Sequence, residues 1–137
     1  MNGISSEVLA VAAVVILLIL VISASFLQRR PKIKRPYFEK RWKELQGLCG
    51  SNNTWPLAII NADKLLDEAL KKRKFKGKSM GERLVAAQRT LSDNDGVWFG
   101  HKLRNRLVHE DSVKLKEKDV KQALLGFRRA LKDLGAL

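Results

Sequence analysis

The segment Arg104-Asn105-Arg106-Leu107-Val108-His109 gathers a guanidinium, a carboxamide and an imidazole within about two turns of a helix. Leu103 and Leu107 supply the apolar side of that helix. His101, Asn105 and His109 are spaced four apart and stack along one face, with Trp98 one turn earlier. Arg104 lies about 60–100° round from Asn105. The flank carrying these groups is expected to be the one the core does not use. Such a set suits RNA cleavage by internal transesterification. An imidazole with a pKa of about 6.5 can take a proton from the ribose 2′-hydroxyl or return one to the leaving oxygen. A guanidinium can hold the phosphate through two parallel hydrogen bonds as charge builds on it. The 2′-hydroxyl is the nucleophile, so the substrate has to be RNA, and no metal or cofactor is required.

The same residues admit plainer readings. A histidine at a helix end is commonly a capping residue, and Arg104 would then pair with a nearby carboxylate such as Glu110 or Asp111. Other chemistry has little to stand on. The sequence contains no glycine-rich phosphate loop, no His-Glu-x-x-His and no Gly-x-Ser-x-Gly. Cys49 is the only cysteine, which excludes a disulfide framework and a cysteine-based zinc site. Asp93-Asn94-Asp95-Gly96 is too short for a calcium loop and reads as a turn. Asp63, Asp67 and Glu68 share a helix with Lys64 and Lys71, and read as a solvated face of i,i+4 pairs.

The elements that must position these groups are helical throughout. Phe38, Trp42, Leu45 and Cys49 recur every three or four residues from Tyr37, and Gly50-Ser51-Asn52-Asn53 ends that helix. Thr54 can cap the next, with Pro56 in its first turn. Ala58, Ile59, Ala62, Leu65, Leu66, Ala69 and Leu70 mark its apolar face as far as Lys72. Lys71 to Lys78 is a basic loop. Ser79-Met80-Gly81-Glu82 fits a capping box, with Leu84, Val85 and Leu91 as the stripe behind it. A helix from about Val97 to Glu110 carries the candidate site. The last one places Val120, Ala123, Leu124, Phe127, Leu131 and Leu134 at heptad-like spacing and stops at Gly135. The fold class is therefore all-α, with a bundle of about five helices over residues 37–137.

Residues 1–28 form a separate segment. Val8 to Leu27 is twenty residues without a charge, and at about 1.5 Å per residue a helix of that length spans a bilayer's hydrocarbon core. A cleaved signal peptide, with Ser23-Ala24-Ser25 as its cleavage site, is the rival reading. It is disfavoured because Glu7 is the only charged side chain before the apolar run, whereas Arg29, Arg30, Lys32, Lys34 and Arg35 follow it. That asymmetry predicts a single-pass anchor in the cell membrane, with the N-terminus outside and the C-terminal domain in the cytoplasm. Residues 29–36 are a basic linker whose cations are expected to lie at the membrane surface.

The net charge is +13; removing the anchor's single acid leaves thirteen acids against 27 bases, so residues 28–137 carry +14. Anionic partners are expected, RNA or anionic lipid. Lys71, Lys72, Arg73, Lys74 and Lys76 from the basic loop, with His101, Lys102 and Arg106 from the helix, are the candidate phosphate contacts.

Arg104, Asn105 and His109, with three intervening residues, resemble the motif of the HEPN family: arginine, a polar residue, three arbitrary residues, histidine. The surroundings are also similar to that family, with the motif at the end of the penultimate helix and a long amphipathic helix closing the chain. The stretch WPLAIINADKLLDEAL resembles early bundle helices of bacterial members. The likeness covers residues 37–134, and only the six-residue motif is specific. It implies a metal-independent endoribonuclease acting as a homodimer, in which the motifs of two protomers face one another. Arg104 would hold the phosphate, Asn105 would orient the site and His109 would be the acid/base, giving a 2′,3′-cyclic phosphate and a 5′-hydroxyl. The family also includes non-catalytic members, so the alternative is a tethered module that binds RNA, nucleotide or anionic lipid, or only dimerises. Val97, Trp98 and Val108 are apolar residues near the motif that would seal a dimer or belong to the core.

Overall fold

The computed structural model describes residues 5–27 and 31–137. They form six α-helices: α1 (Ser6–Leu27), α2 (Arg35–Gly47), α3 (Trp55–Lys72), α4 (Met80–Ala87), α5 (Asn94–His109) and α6 (Glu117–Asp133). Two short 3-10 turns, Leu48–Gly50 and Asn52–Thr54, join α2 to α3. No strand occurs among the described residues. The chain divides into two compact units, Met1–Pro31 and Lys32–Leu137.

In the first unit α1 runs for 22 residues. Its stretch Ser6–Ser25 has a mean hydropathy of 3.1, none of it buried, and is long and apolar enough to cross a membrane. Two of its hydroxyls are settled within the helix: that of Ser23 donates to the Leu20 carbonyl and that of Ser25 to the Val21 carbonyl. Arg29 and Arg30 lie outside the described residues.

The second unit is a five-helix bundle. Helix α2 begins at Arg35, earlier than the periodicity from Tyr37 suggests, because Pro36 falls in the first turn, where a missing N–H costs nothing. Lys32 and Lys34 are exposed before it, and Arg35 pairs with Glu39 at 2.7 Å. Phe38, Trp42 and Leu45 then face α3, which buries the apolar stripe expected of it. Thr54 does not cap α3: its hydroxyl donates to the carbonyls of Leu48 and Ser51, closing the preceding turn instead. Ser79 does cap α4, accepting the Glu82 N–H at 3.2 Å, while the Glu82 carboxylate takes the Lys78 N–H. Val85 points to solvent rather than into the stripe, and Leu84, Ala87 and Leu91 fill that place.

The run from Asp93 is less a turn than a helix start. Asp93 accepts the Gly96 N–H at 2.9 Å, so α5 begins at Asn94. Two glycines then let α5 and α6 cross closely. A Cβ on Gly126 would collide with the Gly96 backbone, and one on Gly100 would lie 2.7 Å from the Phe127 ring. Phe127, Val97, Leu66 and Leu70 are fully buried behind that crossing. This packing fixes the rotation of α5, and with it which of its polar residues face α3.

Candidate functional site

Asp63 is the pivot of a polar cluster between α3 and α5. It lies in the apolar register of α3, four residues after Ile59 and three before Leu66, and only 4% of it is exposed. A buried carboxylate needs partners. Its Oδ1 lies 2.8 Å from Nδ1 of His101, itself 9% exposed. A carboxylate can only accept there, so Nδ1 carries the hydrogen and a neutral ring would keep its lone pair on Nε2. The Asn105 amide nitrogen approaches that Nε2 at a long 3.4 Å.

The second oxygen of Asp63 faces Arg104. Nε of Arg104 is 3.5 Å from Oδ2, an ion-pair separation too long for a hydrogen bond, and this buried N–H makes none among the described residues. One terminal nitrogen of Arg104 donates to the side-chain amide oxygen (Oδ1) of Asn105 at 3.0 Å. The side chain remains 33% exposed. Arg104 is thus oriented on two sides and still presents donors outward.

These groups open on a cavity of about 730 Å³ between α3, α4 and α5. Ile60 and Met80 give it apolar wall, Lys64 and Ser79 add polar groups, and Gly81 leaves room above the imidazole. A Cβ at position 81 would sit 4.0 Å from His101 Nε2 and 3.6 Å from the Trp98 ring. Trp98 meets His101 edge-on, with ring centroids 5.8 Å apart. No cluster of three or more His, Cys, Asp or Glu side chains able to hold a metal ion occurs among the described residues.

The sequence-derived candidates are distributed unevenly. Arg104 and Asn105 are joined by a hydrogen bond, as their adjacency allows. His101 is not on a free flank: the α5–α6 crossing turns it into the α3 interface, where Asp63 receives it. His109 is the last residue of α5 and is exposed, and its imidazole makes no hydrogen bond or ion pair among the described residues. Arg104 does not pair with Glu110 or Asp111. Arg106 takes Glu110, through Nε at 3.1 Å, one helical turn on. Lys102 is exposed. In the basic loop Lys72, Lys74 and Lys76 are exposed, Lys71 pairs with Asp67 at 2.7 Å, and Arg73 donates to the Leu134 carbonyl at 2.6 Å. Of the three apolar residues near the motif, Val97 is core, Trp98 is half-buried and Val108 is exposed.

Asp63 is the residue that charge patterning misplaced. It is not part of a solvated face, and Asp67 is only partly so, since it also receives Arg83 from α4 at 2.6 Å. The signal was present in the apolar register: Ile59, Asp63, Leu66 and Leu70 share one stripe, so a carboxylate there had to be buried and matched. No family model, curated protein or solved structure matches this chain.

Proposed function

We propose that this chain is a membrane-tethered RNA-binding domain that cleaves RNA without a metal, as a homodimer of the HEPN kind. The observation that carries the reading is the built Arg104–Asn105 pair. Buried Asp63 and the Asn105 oxygen orient the guanidinium, and a third of the side chain is still open to a phosphate. In this reading Arg104 binds the scissile phosphate and His109 serves as acid/base. The ribose 2′-oxygen bonds to phosphorus as its proton passes to one imidazole. The bond from phosphorus to the 5′-oxygen breaks as that oxygen takes a proton from the other.

The resemblance implies two copies, with the motifs of the two protomers facing one another. Five positions on a helix separate Arg104 and His109 by about 140° and about 7.5 Å along the axis. In that arrangement two chains meeting at the ends of α5 would supply two of each to one composite site. Lys72, Lys74 and Lys76, exposed in the basic loop, would hold flanking phosphates. The cations from Arg29 to Arg35 keep the domain on the cytoplasmic side, against anionic head groups.

A specific observation favours a second reading, binding without turnover. Asn105 is engaged through both ends of its amide, by Arg104 and by His101, so this cluster is complete without His109. The test uses the full chain in lipid nanodiscs with labelled RNA and EDTA. Cleavage to cyclic-phosphate ends by wild type, lost in His109→Ala and in Arg104→Ala, supports the ribonuclease. RNA bound equally by wild type and His109→Ala, with no cleavage in either, supports the binding module. Absence of binding by wild type sinks both.

A further inference from the structure

We propose that His101, positioned by buried Asp63, is the general base of the cleavage and leaves to His109 the part of the acid; this rests on the ribonuclease reading above. Both ring nitrogens of His101 are set for that part. Nδ1 lies 2.8 Å from Asp63 Oδ1, which can only accept. At the other edge the Asn105 amide is oriented by Arg104: a guanidinium only donates, so the amide oxygen faces Arg104 and the NH₂ group faces Nε2, 3.4 Å away. An acceptor at Nδ1 and a donor at Nε2 select the same neutral tautomer, with its lone pair on Nε2. The Asn105 contact is longer than an ordinary hydrogen bond, so a ribose hydroxyl replaces it at small cost. The carboxylate behind Nδ1 supports the positive charge the ring acquires on taking a proton.

Nε2 also has space beside it. A Cβ built on Gly81 would lie 4.0 Å from Nε2, and its nearest contact outside its own stretch of helix would be the Trp98 ring at 3.6 Å. An atom therefore fits at van der Waals distance from Nε2 where glycine has no side chain, in the cleft that Arg104 also lines. His109 does not line that cleft. Its two carboxylates are occupied, Asp67 by Arg83 and Lys71, Asp63 by His101 and Arg104. Exposed Lys64, with no ion pair among the described residues, adds a second cation for the phosphate. Arg104 and His101 flank one amide and one carboxylate, so a phosphate on the outward donors of Arg104 brings its ribose toward Nε2. The 2′-oxygen then bonds to phosphorus as its proton passes to Nε2 of His101. The bond from phosphorus to the 5′-oxygen breaks as that oxygen takes a proton from His109 of a second copy.

The experiment uses the full chain in nanodiscs with EDTA and two probes. One is a labelled single-stranded RNA; the other carries sulfur in place of the bridging 5′-oxygen at the junction that wild type cleaves. A thiolate leaves without a proton, so the sulfur probe needs the base and not the acid. His109→Ala should slow the oxygen probe by about 100-fold or more and the sulfur probe by less than about ten-fold, whereas His101→Ala should slow both by about 100-fold. Added imidazole, which fits the space that substitution opens, should restore His101→Ala by about ten-fold on both probes, a recovery that a mere joint between helices would not show. Gly81→Val crowds Nε2 and removes no polar contact of the cluster. It should slow both probes while the thermal unfolding midpoint stays near that of wild type, and it decides the matter if His101→Ala fails to fold. Wild-type rates in His101→Ala, normal cleavage of the sulfur probe by that variant, or a loss that imidazole does not restore would overturn the proposal and leave the ribonuclease reading standing. Unimpaired cleavage by Gly81→Val would do the same. No cleavage of either probe by wild type would overturn both.

Discussion

Asp63 and Asp67 lie one turn apart on α3, and each receives an arginine from another helix. Asp67 holds Arg83 of α4, whose terminal nitrogen and Nε lie 2.6 and 2.7 Å from one carboxylate oxygen. The remaining terminal nitrogen of Arg83 donates to the Gly77 carbonyl at 2.7 Å. That side chain is only 8% exposed, and all three of its nitrogens are in use. Asp63 meets Arg104 at 3.5 Å, shares its charge with His101, and leaves the guanidinium one-third open. The same residue pair on the same helix thus serves two ends. Arg83 is spent on joining α3, α4 and the loop before α4. Arg104 is held in place but not saturated, which is what the phosphate-binding role proposed for it would require.

The largest effect that would break this contrast belongs to Arg83. Arg83→Ala leaves Asp67 with Lys71 alone and the Gly77 carbonyl without its donor. It should cost about 3 kcal/mol or more in chemical denaturation followed by tryptophan fluorescence. Arg83→Lys should recover little, because one ammonium cannot reproduce a planar fork. Under conditions where the variant stays folded, its RNA affinity should match wild type. A loss below about 1 kcal/mol would mean that this pair is no more structural than a surface ion pair.

Arg104 should show the inverse pattern. Arg104→Ala removes one hydrogen bond and a long ion pair but leaves Asp63 its contact with His101, so stability should fall by about 1–2 kcal/mol, less than in Arg83→Ala. RNA affinity should fall at least ten-fold, about 1.4 kcal/mol. If denaturation instead shifts as far as in Arg83→Ala, the two arginines are equivalent and the contrast fails.

That contrast explains what was readable in the sequence. The all-helical bundle followed from apolar spacing, because each helix buries one stripe: the register of α3 from Ala58 to Leu70 was legible residue by residue. Arg104 and Asn105 were legible as a pair because they are adjacent. Asp63 was not, since its partners are contributed by a helix 38 residues away and depend on how α5 is rotated. That rotation is set by Gly100 and Gly126 at the α5–α6 crossing, residues that carry no chemistry of their own. Local capping divided in the same way. Ser79 sits beside the N–H it serves, whereas the Thr54 hydroxyl was drawn to carbonyls of the preceding turn.

A third carboxylate sharpens the comparison by serving α5 from its start. Asp93 accepts the Gly96 N–H and an Arg129 hydrogen bond, which together hold its carboxyl below the ordinary 3.8. A depressed folded-state pKa contributes stability that is fully present above the unfolded value and is lost as pH falls through the folded one. Asp93→Ala should therefore cost about 1 kcal/mol at neutral pH, the usual worth of an N-cap. The gap between variant and wild type should close once pH drops below 3.8 and through the depressed value. A difference that persists unchanged at the acid end would assign the effect to packing rather than to the cap's charge.

The smallest effect lies at the other end of α3, just past Asp67 and Lys71. Lys74 follows the helix in the left-handed region, with φ of 61°, a conformation that costs a non-glycine residue about 1–2 kcal/mol. The turn is otherwise well made, with the Phe75 N–H donating to the Leu70 carbonyl at 3.1 Å. Lys74→Gly relieves the backbone but loosens the unfolded chain by about 0.5–1 kcal/mol, so the net gain should be a few tenths of a kcal/mol to about 1. The same substitution removes one exposed cation from the loop proposed to hold RNA. The slope of log affinity against log salt should then fall by roughly 0.7, the share of one single-strand phosphate contact. A more stable variant with that shallower slope would show a lysine kept for its charge at a position where glycine folds better. An unchanged slope would remove Lys74 from the RNA surface and leave Arg104 to account for phosphate binding without it.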